Sequence, residues 1–589
     1  MKKKSVYINV SRFLPIVSIL LVAAAVRIWG IGFGLPYFFH FDESTTTYTA
    51  FYSANNFLRP DIFIHPMLLP YIMIMLFGAY YVFGFLIGKW DTTFEFFSSY
   101  VADPTVFLLL GRFFIASVGV VSLWLVYWVG KRLYGQRIGL VAAFFLSVSF
   151  LHVQESHYIK EDVLIGFLAI LAFYFTVLIV KNGKLRNYVI MGILLGLLGS
   201  LKYNFFILIP SIFLAQFFRK RTLSLSKFFD QKFLLFLLSA ATVFFLLNPY
   251  LLLEWREALP EIISQGEMTT TQWVSSGGQP VWLYYLTYHL RFGMSEPLLL
   301  LSLGGAVYLL VRRRAEDILL VATPLTFFVT LAVFGGANFA RYAVIILPHL
   351  TLIAGIMVVT FLGSLKLRSG WTLALVSVVI MMPTLLRIIK FDYYLNAPDT
   401  RIIAKQWIEE NIPEGTKVVN EGAARSEYRS IYGPPLALDK LSLERILHNA
   451  REKNQQGLFL QALLAANKNE VGYDLLGTIK IDVQFDEERV LHMPLAGVDT
   501  YVSEDYCYLI SSNWAKGNRE TYDRAFLESL EKHYQLIKEF VPHPIFAEDP
   551  FAWRVEFEDL DKVRVFSSQI VSGPTIKIYK LKTDKGSCE

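Results

Sequence analysis

Long apolar stretches, separated by short polar segments, occupy the first two thirds of the chain. The stretches from Phe13 to Phe33 and from Ala343 to Leu362 are typical. At about 1.5 Å per residue, each is long enough to cross a hydrocarbon core of roughly 30 Å as a helix. The chain of 589 residues is 54% hydrophobic and 18% charged, with a mean hydropathy of +0.45. This composition leaves too little polar surface for a soluble protein of this size and predicts a polytopic α-helical membrane protein.

Lysine and arginine residues in the short connections orient the predicted helices, because short basic loops of membrane proteins face the cytoplasm. If every basic cluster is cytoplasmic, the chain threads the membrane without contradiction. The clusters lie at residues 2–4, 131–137, 181–186, 219–221, 312–314 and 366–368. The threading predicts about 11 transmembrane helices, with the N-terminus inside and the C-terminus outside. They fall near residues 13–33, 106–130, 138–152, 163–181, 187–201, 205–218, 232–253, 297–311, 318–334, 342–363 and 371–389.

One apolar segment, from Pro66 to Gly88, does not fit this threading, because counting it as a span would place a later basic loop outside. Pro66, Pro70, Gly78 and Gly84 interrupt this apolar stretch, and aromatic residues crowd its end. We therefore predict a re-entrant or interfacial helix within a first outer loop of residues 34–105. The alternative is a twelfth span, which would invert half of the topology.

The character of the chain changes after the last predicted span. Residues 1–390 form the predicted membrane domain, and residues 391–589 form a predicted extracytoplasmic α/β domain of normal domain size. Its predicted strands are residues 416–420, 506–511 and 575–579, and its predicted helices are residues 400–411 and 525–540. The two cysteines, Cys507 and Cys588, do not form a disulfide framework and do not indicate a compartment.

Four groups of polar residues fall on the predicted outer side, at the ends of different helices. They lie at residues 40–43, 155–162, 202–204 and 338–342. Charged groups at membrane depth are costly and tend to face a cavity or a partner. Two acidic groups and two basic residues on one side of the membrane therefore predict an active site.

Each of these features also has a structural explanation. The acidic pair at residues 161–162 can complement the dipole of the helix that it precedes. The acidic pair at residues 42–43 can cap a helix that follows from Thr45 to Asn55. Lys202 and Arg341 can be interfacial residues whose long side chains reach toward water. These explanations stay open until side-chain geometry is known.

The order of these motifs resembles the GT-C glycosyltransferase superfamily, and within it the branch of protein O-mannosyltransferases and the lipid A aminoarabinose transferase. The main point of resemblance is the acidic pair Asp42-Glu43 shortly after the first membrane helix. Other matching elements are His65-Pro66-Met67-Leu68 in place of the family's basic-Pro-Pro-Leu, Gly111-Arg112, Asp162, Gly199-Ser200-Leu201-Lys202-Tyr203, Arg341-Tyr342 followed by Pro348, Asp399-Thr400-Arg401, Trp407-Ile408 and Asn411-Ile412-Pro413. The resemblance covers most of residues 1–415. The chain departs from the family's pattern at Met67 and in the polar residues before Glu161, which leaves the acceptor open.

The resemblance implies an enzyme that transfers a sugar, usually with inversion, from a polyprenyl phosphate to an acceptor hydroxyl or phosphate. A hydroxyl is a poor nucleophile near neutral pH and needs a carboxylate to accept its proton. We assign this role to Asp42, with Glu43 orienting Asp42 or the acceptor. The leaving lipid phosphate needs fixed cations or a metal, and the candidates are Lys202 and Arg341, with Arg112 as a third.

The remaining predicted site residues bind substrate or metal. Asp162, together with Glu161, can bind the sugar or a divalent cation, and His65 and Tyr342 complete the predicted substrate-binding set. Oxygen ligands such as Asp42 and Asp162 suit Mg²⁺ or Mn²⁺. No cofactor is certain, because members of the superfamily differ in metal dependence.

An outer loop of residues 254–297 is rich in polar and aromatic residues, and we expect it to cover the site and meet the acceptor. Its most sugar-like residues are Gln272, Trp273 and His289. His157, in contrast, is expected to be structural. The acceptor can be a protein, a lipid or a glycan, and no nucleic acid is needed to explain the net charge of +6. The short basic loops suit a bacterial plasma (inner) membrane.

Two other functions compete with a transferase. A transporter or flippase for lipid-linked glycans should carry polar residues in mid-span and broken helices in paired halves. Here the spans are largely apolar and the charges gather at the outer helix ends. The second alternative is a receptor or assembly scaffold that functions through its α/β domain. In such a protein Asp42, Glu43 and Asp162 would have no function. The residues therefore favour the transferase.

Overall fold

The computed structural model describes residues 13–582 apart from residues 223, 225–227, 271–277, 336–337, 422–432, 441, 445–446, 449–457, 467–471, 479–496, 514–523 and 543–570. The chain divides into two compact units. The first unit comprises Met1–Ile31, Tyr52–Ile72 and Gly111–Ile389, and the second comprises Gly32–Phe51, Met73–Leu110 and Lys390–Glu589. The predicted division into a membrane domain of residues 1–390 and an outer domain of residues 391–589 remains a prediction.

The helices of the first unit follow the predicted apolar stretches closely. They are α1 (Leu14–Ile28), α5 (Thr105–Leu133, mostly in this unit), α6 (Gln136–Ser147), α7 (Phe150–Glu155), α8 (Asp162–Asn182), α9 (Leu185–Gly199), α10 (Ile209–Lys220), α11 (Gln231–Leu247), α12 (Tyr250–Leu253), α13 (Trp255–Thr270), α14 (Val281–Tyr284), α15 (Arg291–Met294), α16 (Glu296–Arg312), α17 (Ala315–Phe334), α18 (Leu347–Ser364) and α19 (Gly370–Leu395, which ends in the second unit). Short 3₁₀ helices at Tyr203–Leu208 and Ala340–Ile346 and a π-helix at Tyr285–Leu290 join some of them.

The predicted polytopic helical fold is confirmed. Among the described residues, six helices are long and apolar enough to cross a membrane, and a seventh span results if the bent pair Val281–Met294 and Glu296–Arg312 is counted as one. Shorter apolar helices such as α1, α6, α9 and α11 also coincide with predicted spans. The predicted total of about 11 spans rests on hydropathy and loop charge.

The connections of the first unit form two separate groups. On one side, the Tyr134 hydroxyl donates to the Glu316 carbonyl at 3.2 Å, and Lys232 Nζ donates to the Gly183 carbonyl at 2.9 Å. These residues lie in or beside the loops that were predicted to be cytoplasmic. On the other side, the loops predicted to lie outside contact one another, as the next section describes. These contacts between loops agree with the predicted order of membrane crossings. Which compartment each group of loops faces stays a prediction.

Within the segment Pro66–Gly88 one uninterrupted helix, α3, runs from Leu68 to Leu86, so the proline and glycine residues inside it do not break it. Pro70 lies in the first turn, where a helical N–H has no carbonyl partner to lose. At Gly84 a Cβ atom would lie 1.9 Å from the Trp90 ring, so this glycine lets Trp90 pack against the helix. A helix of 19 residues fits a span as well as an interfacial position.

An aromatic cluster holds together the part of the second unit that precedes residue 111. The Phe51 ring, on α2 (Phe41–Asn55, shared with the first unit), lies 5.4 Å from the Phe77 ring on α3 and 4.4 Å from the Tyr100 ring on α4 (Thr93–Ala102). Phe107 contacts both Phe77 and Tyr100 edge-on. Such edge-to-face pairs add to the free energy of apolar burial. The cluster fixes the helix on which Asp42 and Glu43 lie.

The C-terminal part of the second unit contains a five-stranded mixed sheet in the order β2-β1-β3-β5-β4. The strands are β1 (Lys417–Glu421), β2 (Asp474–Thr478), β3 (Tyr508–Ser512), β4 (Tyr534–Phe540) and β5 (Ile576–Leu581), with β1 parallel to β2 and β3, and β5 antiparallel to β3 and β4. The helices are α20 (Thr400–Asn411), α21 (Leu458–Ala466), α22 (Val498–Ser503) and α23 (Arg524–His533).

The predicted helix of residues 525–540 is only half correct. The helix ends at His533, and Tyr534–Phe540 continues as β4. Pairing of this segment with β5 supplies backbone hydrogen bonds that a local helical pattern cannot reveal. Cys507 is disulfide-bonded, and because the sequence holds two cysteines this is a single crosslink and not a disulfide framework.

Candidate active site

Two motifs forty residues apart meet at one end of the first unit. Asp162 begins α8, and Lys202 follows the end of α9 in an extended conformation, with φ at −157° and ψ at 135°. The Lys202 ammonium lies 2.8 Å from Asp162 Oδ1 and 3.2 Å from Glu161 Oε1. All three side chains are largely withdrawn from solvent, with exposed fractions of 19%, 4% and 11%. The geometry makes Lys202 the cation between two carboxylates.

A third motif joins the same cluster from the 3₁₀ helix that precedes α18. Arg341 Nε lies 4.0 Å from Asp162 Oδ2, and the Tyr342 ring lies 4.4 Å from Lys202 Nζ. The Arg341 guanidinium also stacks on the Phe339 ring at 4.4 Å. Cation–π contacts of this kind strengthen when they are withheld from water. The structure therefore brings together five of the predicted residues: Glu161, Asp162, Lys202, Arg341 and Tyr342.

His65 lies beside this cluster on a segment that is fixed by hydrogen bonds. The Met67 N–H donates to Asn248 Oδ1 at 3.0 Å, and the Leu68 N–H donates to the Ser200 carbonyl at 2.9 Å. Asn248 in turn donates to Ser200 Oγ at 2.9 Å. The exposed His65 ring is close enough to Glu161 to act on it electrostatically. It also lines a small pocket with Tyr71, Tyr203 and Tyr250, among others.

The electrostatics of the cluster favour the charged forms of Glu161 and Lys202. Burial raises the pKa of Glu161, but the charges of Lys160 and Lys202 lower it by more, so the pKa lies well below its ordinary value. Burial lowers the pKa of Lys202, but Asp162 and Glu161 raise it by more, so the pKa lies above its ordinary value. Both shifts favour the charged form of the group concerned, the Glu161 carboxylate and the Lys202 ammonium.

Lys160 is a member of the cluster that the sequence analysis missed. Its ammonium lies 3.7 Å from Glu161 Oε2, and only 6% of the side chain is exposed. Its place in the polar run of residues 155–162 was the signal that could have identified it. A buried lysine next to a buried carboxylate is costly unless the two are paired, and this rule would have ranked it with Lys202.

Arg112 and His157 are buried at hydrogen-bonded positions. Arg112, on α5, donates from Nη1 to the Ile31 carbonyl at 2.9 Å. His157 has ring nitrogens 2.9 Å from the Val153 carbonyl and 3.0 Å from the Trp29 carbonyl. These contacts agree with a structural role for His157. The Arg112 contact also holds the backbone that follows α1 in place.

Asp42 and Glu43 belong to the second unit and lie in the first turn of α2. Glu43 is fully buried, and its carbonyl accepts from Thr47 Oγ1 at 2.8 Å. Thr47 Oγ1 also lies 3.0 Å from the Tyr100 hydroxyl. This placement agrees with the structural explanation of an acidic pair that complements a helix N-terminus. It is equally compatible with a carboxylate held in one orientation for catalysis.

The described part of the outer loop of residues 254–297 is mostly helical, with non-helical residues at 254, 278–280 and 295. Gln272 and Trp273 lie outside the described residues. His289 is buried, and its Nε2 lies 2.7 Å from Asn338 Oδ1. A buried imidazole bonded to an asparagine is not presented to an acceptor, so His289 is better explained as an internal contact than as a sugar ligand.

The charged cluster does not require a metal to balance it. Within the described part of the chain, no group of three or more His, Cys, Asp or Glu side chains is arranged to hold a metal ion. Asp162 already faces Lys202 at 2.8 Å, and a cation at this distance competes with a metal for the same oxygen. We therefore derive no chemical step through a metal.

A family model supports the identity of the first unit. Residues 108–251 match the model for dolichyl-phosphate-mannose-protein mannosyltransferases. The matched segment contains Arg112, Glu161, Asp162 and Lys202. A comparison with curated proteins gives no match.

A solved membrane transferase, ArnT, shares the fold, and two further solved transferases are similar at a lower level. The structure of ArnT from Cupriavidus metallidurans bound to undecaprenyl phosphate is 11% identical, covers 97% of this chain and 98% of its own, and has a TM-score of 0.52. The oligosaccharyltransferase of Archaeoglobus fulgidus, in complex with Zn and sulfate, is 13% identical over 96% of this chain and 88% of its own, with a TM-score of 0.47. AglB from the same organism, in complex with an inhibitory peptide and a dolichol-phosphate, is 13% identical over 97% of this chain and 88% of its own, with a TM-score of 0.47. The chain therefore shares the fold of ArnT, and its residues 108–251 are similar to the mannosyltransferase family, in agreement with the resemblance of its motifs to the GT-C superfamily.

Proposed function

We propose that the protein transfers a sugar, with inversion, from a polyprenyl-phosphate-linked donor to an acceptor on the outer face of the membrane. The observation that carries the proposal is the cluster around Asp162. Lys160, Lys202 and Arg341 supply three positive charges against the two negative charges of Glu161 and Asp162. The named groups thus leave one net positive charge at the ends of apolar helices, a place suited to an anionic headgroup whose tail stays in the bilayer.

The donor class follows from this charge and from the relatives. ArnT binds undecaprenyl phosphate and AglB binds dolichol-phosphate, and both ligands present a phosphate on a long isoprenoid chain. Arginine can grip phosphate oxygens at two points, whereas lysine supplies a compact charge. Arg341 and Lys202 would therefore hold the phosphate, with Tyr342 fixing the direction of the lysine through its ring. His65 and Arg112 remain further candidates for substrate binding.

The proposed reaction needs no reactant other than the donor and the acceptor. The acceptor oxygen attacks the anomeric carbon of the sugar, and its proton passes to the Asp42 carboxylate. The bond between the anomeric carbon and the phosphate oxygen breaks, and its electron pair remains on the polyprenyl phosphate. The developing negative charge is stabilised by Lys202 and Arg341, which are already in place before the reaction begins. Glu43 would orient Asp42 or the acceptor.

The topology is part of the proposal. The N-terminus would be cytoplasmic and the sheet-containing region extracytoplasmic, in a plasma (inner) membrane. The disulfide at Cys507 supports this orientation, because disulfides persist in oxidising compartments and are rare in the cytosol. The acceptor, whether protein, lipid or glycan, would meet the donor on that side.

The proposal is tested by donor turnover. Purified protein in lipid is offered a panel of polyprenyl-phosphate sugars, and wild type is compared with a folded Asp42→Asn variant by mass spectrometry. Consumption of one donor by wild type, with a loss of about 100-fold or more in the variant, supports the transferase and its base. Equal turnover by both proteins would contradict the role of Asp42. Failure to bind or consume any donor would contradict the donor class.

A further inference from the structure

A π-helix lies against the segment that leads into Arg341. Residues Tyr285–Leu290 form six residues of π-helix within a helical run. Tyr285 and His289 are buried on this turn, and their rings lie 4.7 Å apart. The π-helix is rare, and it appears mostly as single turns inside α-helices, frequently at functional sites. The local sequence offers no proline or glycine within residues 285–290 to account for the irregularity.

Both side chains bond to consecutive residues of the same segment. The Tyr285 hydroxyl donates to the Phe339 carbonyl at 2.6 Å. His289 Nε2 lies 2.7 Å from Asn338 Oδ1, so the ring donates this proton if the amide oxygen faces it as placed. Asn338 is fully buried and Phe339 is largely buried. Two hydrogen bonds from one helical turn, one to the Phe339 backbone and one to the Asn338 side chain, therefore hold the segment immediately before the 3₁₀ helix Ala340–Ile346.

The fixed segment supports Arg341 directly. The Phe339 ring, whose backbone Tyr285 holds, lies 4.4 Å from the Arg341 guanidinium. Arg341 Nε in turn lies 4.0 Å from Asp162 Oδ2, a distance too long for a direct hydrogen bond. The aromatic surface of Phe339, and the backbone that presents it, therefore contribute to the position of the guanidinium.

We propose that Tyr285 and His289 are positioning residues for Arg341: they act on the reaction through Phe339 and Asn338 and do not touch the substrate. The inference rests on the proposed function, because Arg341 matters to turnover only if it binds the donor phosphate. A cation that stabilises a developing charge must be in place before reaction, and a displacement of about 1 Å can cost roughly 100-fold in rate. Loss of either hydrogen bond should therefore lower kcat by more than it weakens donor binding.

The test is a double-mutant cycle on kcat and donor KM in the full-length protein in lipid. The variants are Tyr285→Phe, His289→Leu, Arg341→Met and the two double variants with Arg341→Met. Tyr285→Phe and His289→Leu should each lower kcat by about 10- to 100-fold. In the Arg341→Met background the same changes should lower kcat by less than about twofold, because the residue through which they act is gone.

Two controls separate positioning from general damage to the fold. Thr287→Ala removes an exposed side chain from the same π-turn and should leave kcat unchanged. His289→Gln keeps an N–H donor near the position of Nε2 and should recover most of the activity lost in His289→Leu. A variant that lowers the melting temperature without this pattern of rescue and non-additivity has only a structural role.

The outcomes distinguish this inference from the proposed function. Suppose that Arg341→Met lowers turnover, and that Tyr285→Phe and His289→Leu lower kcat by the same factor with or without Arg341→Met. The positioning inference is then overturned, while the proposed function stands. If Arg341→Met leaves donor turnover at the wild-type rate, the role of Arg341 in the proposed function fails first, and the positioning inference falls with it. Non-additive effects in both cycles, with rescue by His289→Gln, support the inference.

Discussion

Lys202 Nζ lies 2.8 Å from Asp162 Oδ1, and this ion pair joins the start of one apolar helix to the end of another. The two residues are forty positions apart in the sequence. Both side chains are too deeply buried for water alone to solvate their charges. The pair is therefore both a structural link between α8 and α9 and the centre of the proposed phosphate site.

Removal of the carboxylate from this pair should cost stability. Asp162→Asn leaves the largely buried Lys202 ammonium paired with Glu161 Oε1 at 3.2 Å. Loss of a charge-assisted hydrogen bond of this kind should lower the free energy of unfolding by about 1–3 kcal/mol. The measurement is thermal unfolding in detergent, with the exposed substitution Asp91→Asn as the control. Equal melting temperatures for wild type and Asp162→Asn would show that the pair does not stabilise the fold.

The pH dependence of stability should report Glu161. Its pKa is lowered in the folded protein, so its ionised form stabilises the fold above the unfolded-state pKa of about 4.3, and this contribution is lost as the pH falls through the lower folded value. Wild type should therefore melt at a higher temperature than Glu161→Gln at pH 7, and the difference should shrink as the pH falls below about 4.3. A difference that grows on acidification would contradict the direction of the shift.

Asn248 should be a structural residue whose loss also disturbs His65. It accepts from the Met67 N–H at 3.0 Å and donates to Ser200 Oγ at 2.9 Å. Asn248→Ala leaves a buried N–H without its acceptor, which should cost about 1–3 kcal/mol of unfolding free energy. Asn56→Ala is the matched control, because Asn56 is half-buried and its side chain donates to the Tyr52 carbonyl of its own helix. Comparable losses in both variants would argue against a special role for Asn248.

The disulfide at Cys507 gives a test of topology. The sequence holds one other cysteine, Cys588, which lies outside the described residues. Protein denatured without reductant should resist labelling by a maleimide, and reduction should expose both thiols. Cys507→Ser should leave one thiol reactive under both conditions. Labelling of wild type without reduction would contradict the disulfide and remove its support for an extracytoplasmic domain.

Much of the fold could be predicted because apolar length and loop charge act locally. The helices α5, α8 and α17 begin and end within a few residues of the predicted spans. Pairing between distant segments was harder. Tyr534–Phe540 becomes a strand through its pairing with β5, and nothing in its own pattern requires that partner.

The candidate site could be predicted in part for the same reason. Glu161, Lys202 and Arg341 stood out because charges at the ends of apolar helices are costly, and the structure brings them together with Asp162. Tyr285 could not be identified as a partner of the segment before Arg341, because that contact depends on the π-turn and on packing between helices far apart in sequence.

The most direct test of the account is single-turnover cleavage of a polyprenyl-phosphate sugar by the purified protein in lipid. Wild type, Lys202→Met and Arg341→Met are compared at saturating donor, with release of polyprenyl phosphate and the anomeric configuration of the product as readouts. We expect wild type to release polyprenyl phosphate and to form a product of inverted configuration. Each variant should react about 100-fold or more slowly, because it lacks a charge that stabilises the leaving phosphate. Retention of configuration, or wild-type rates in both variants, would contradict the account.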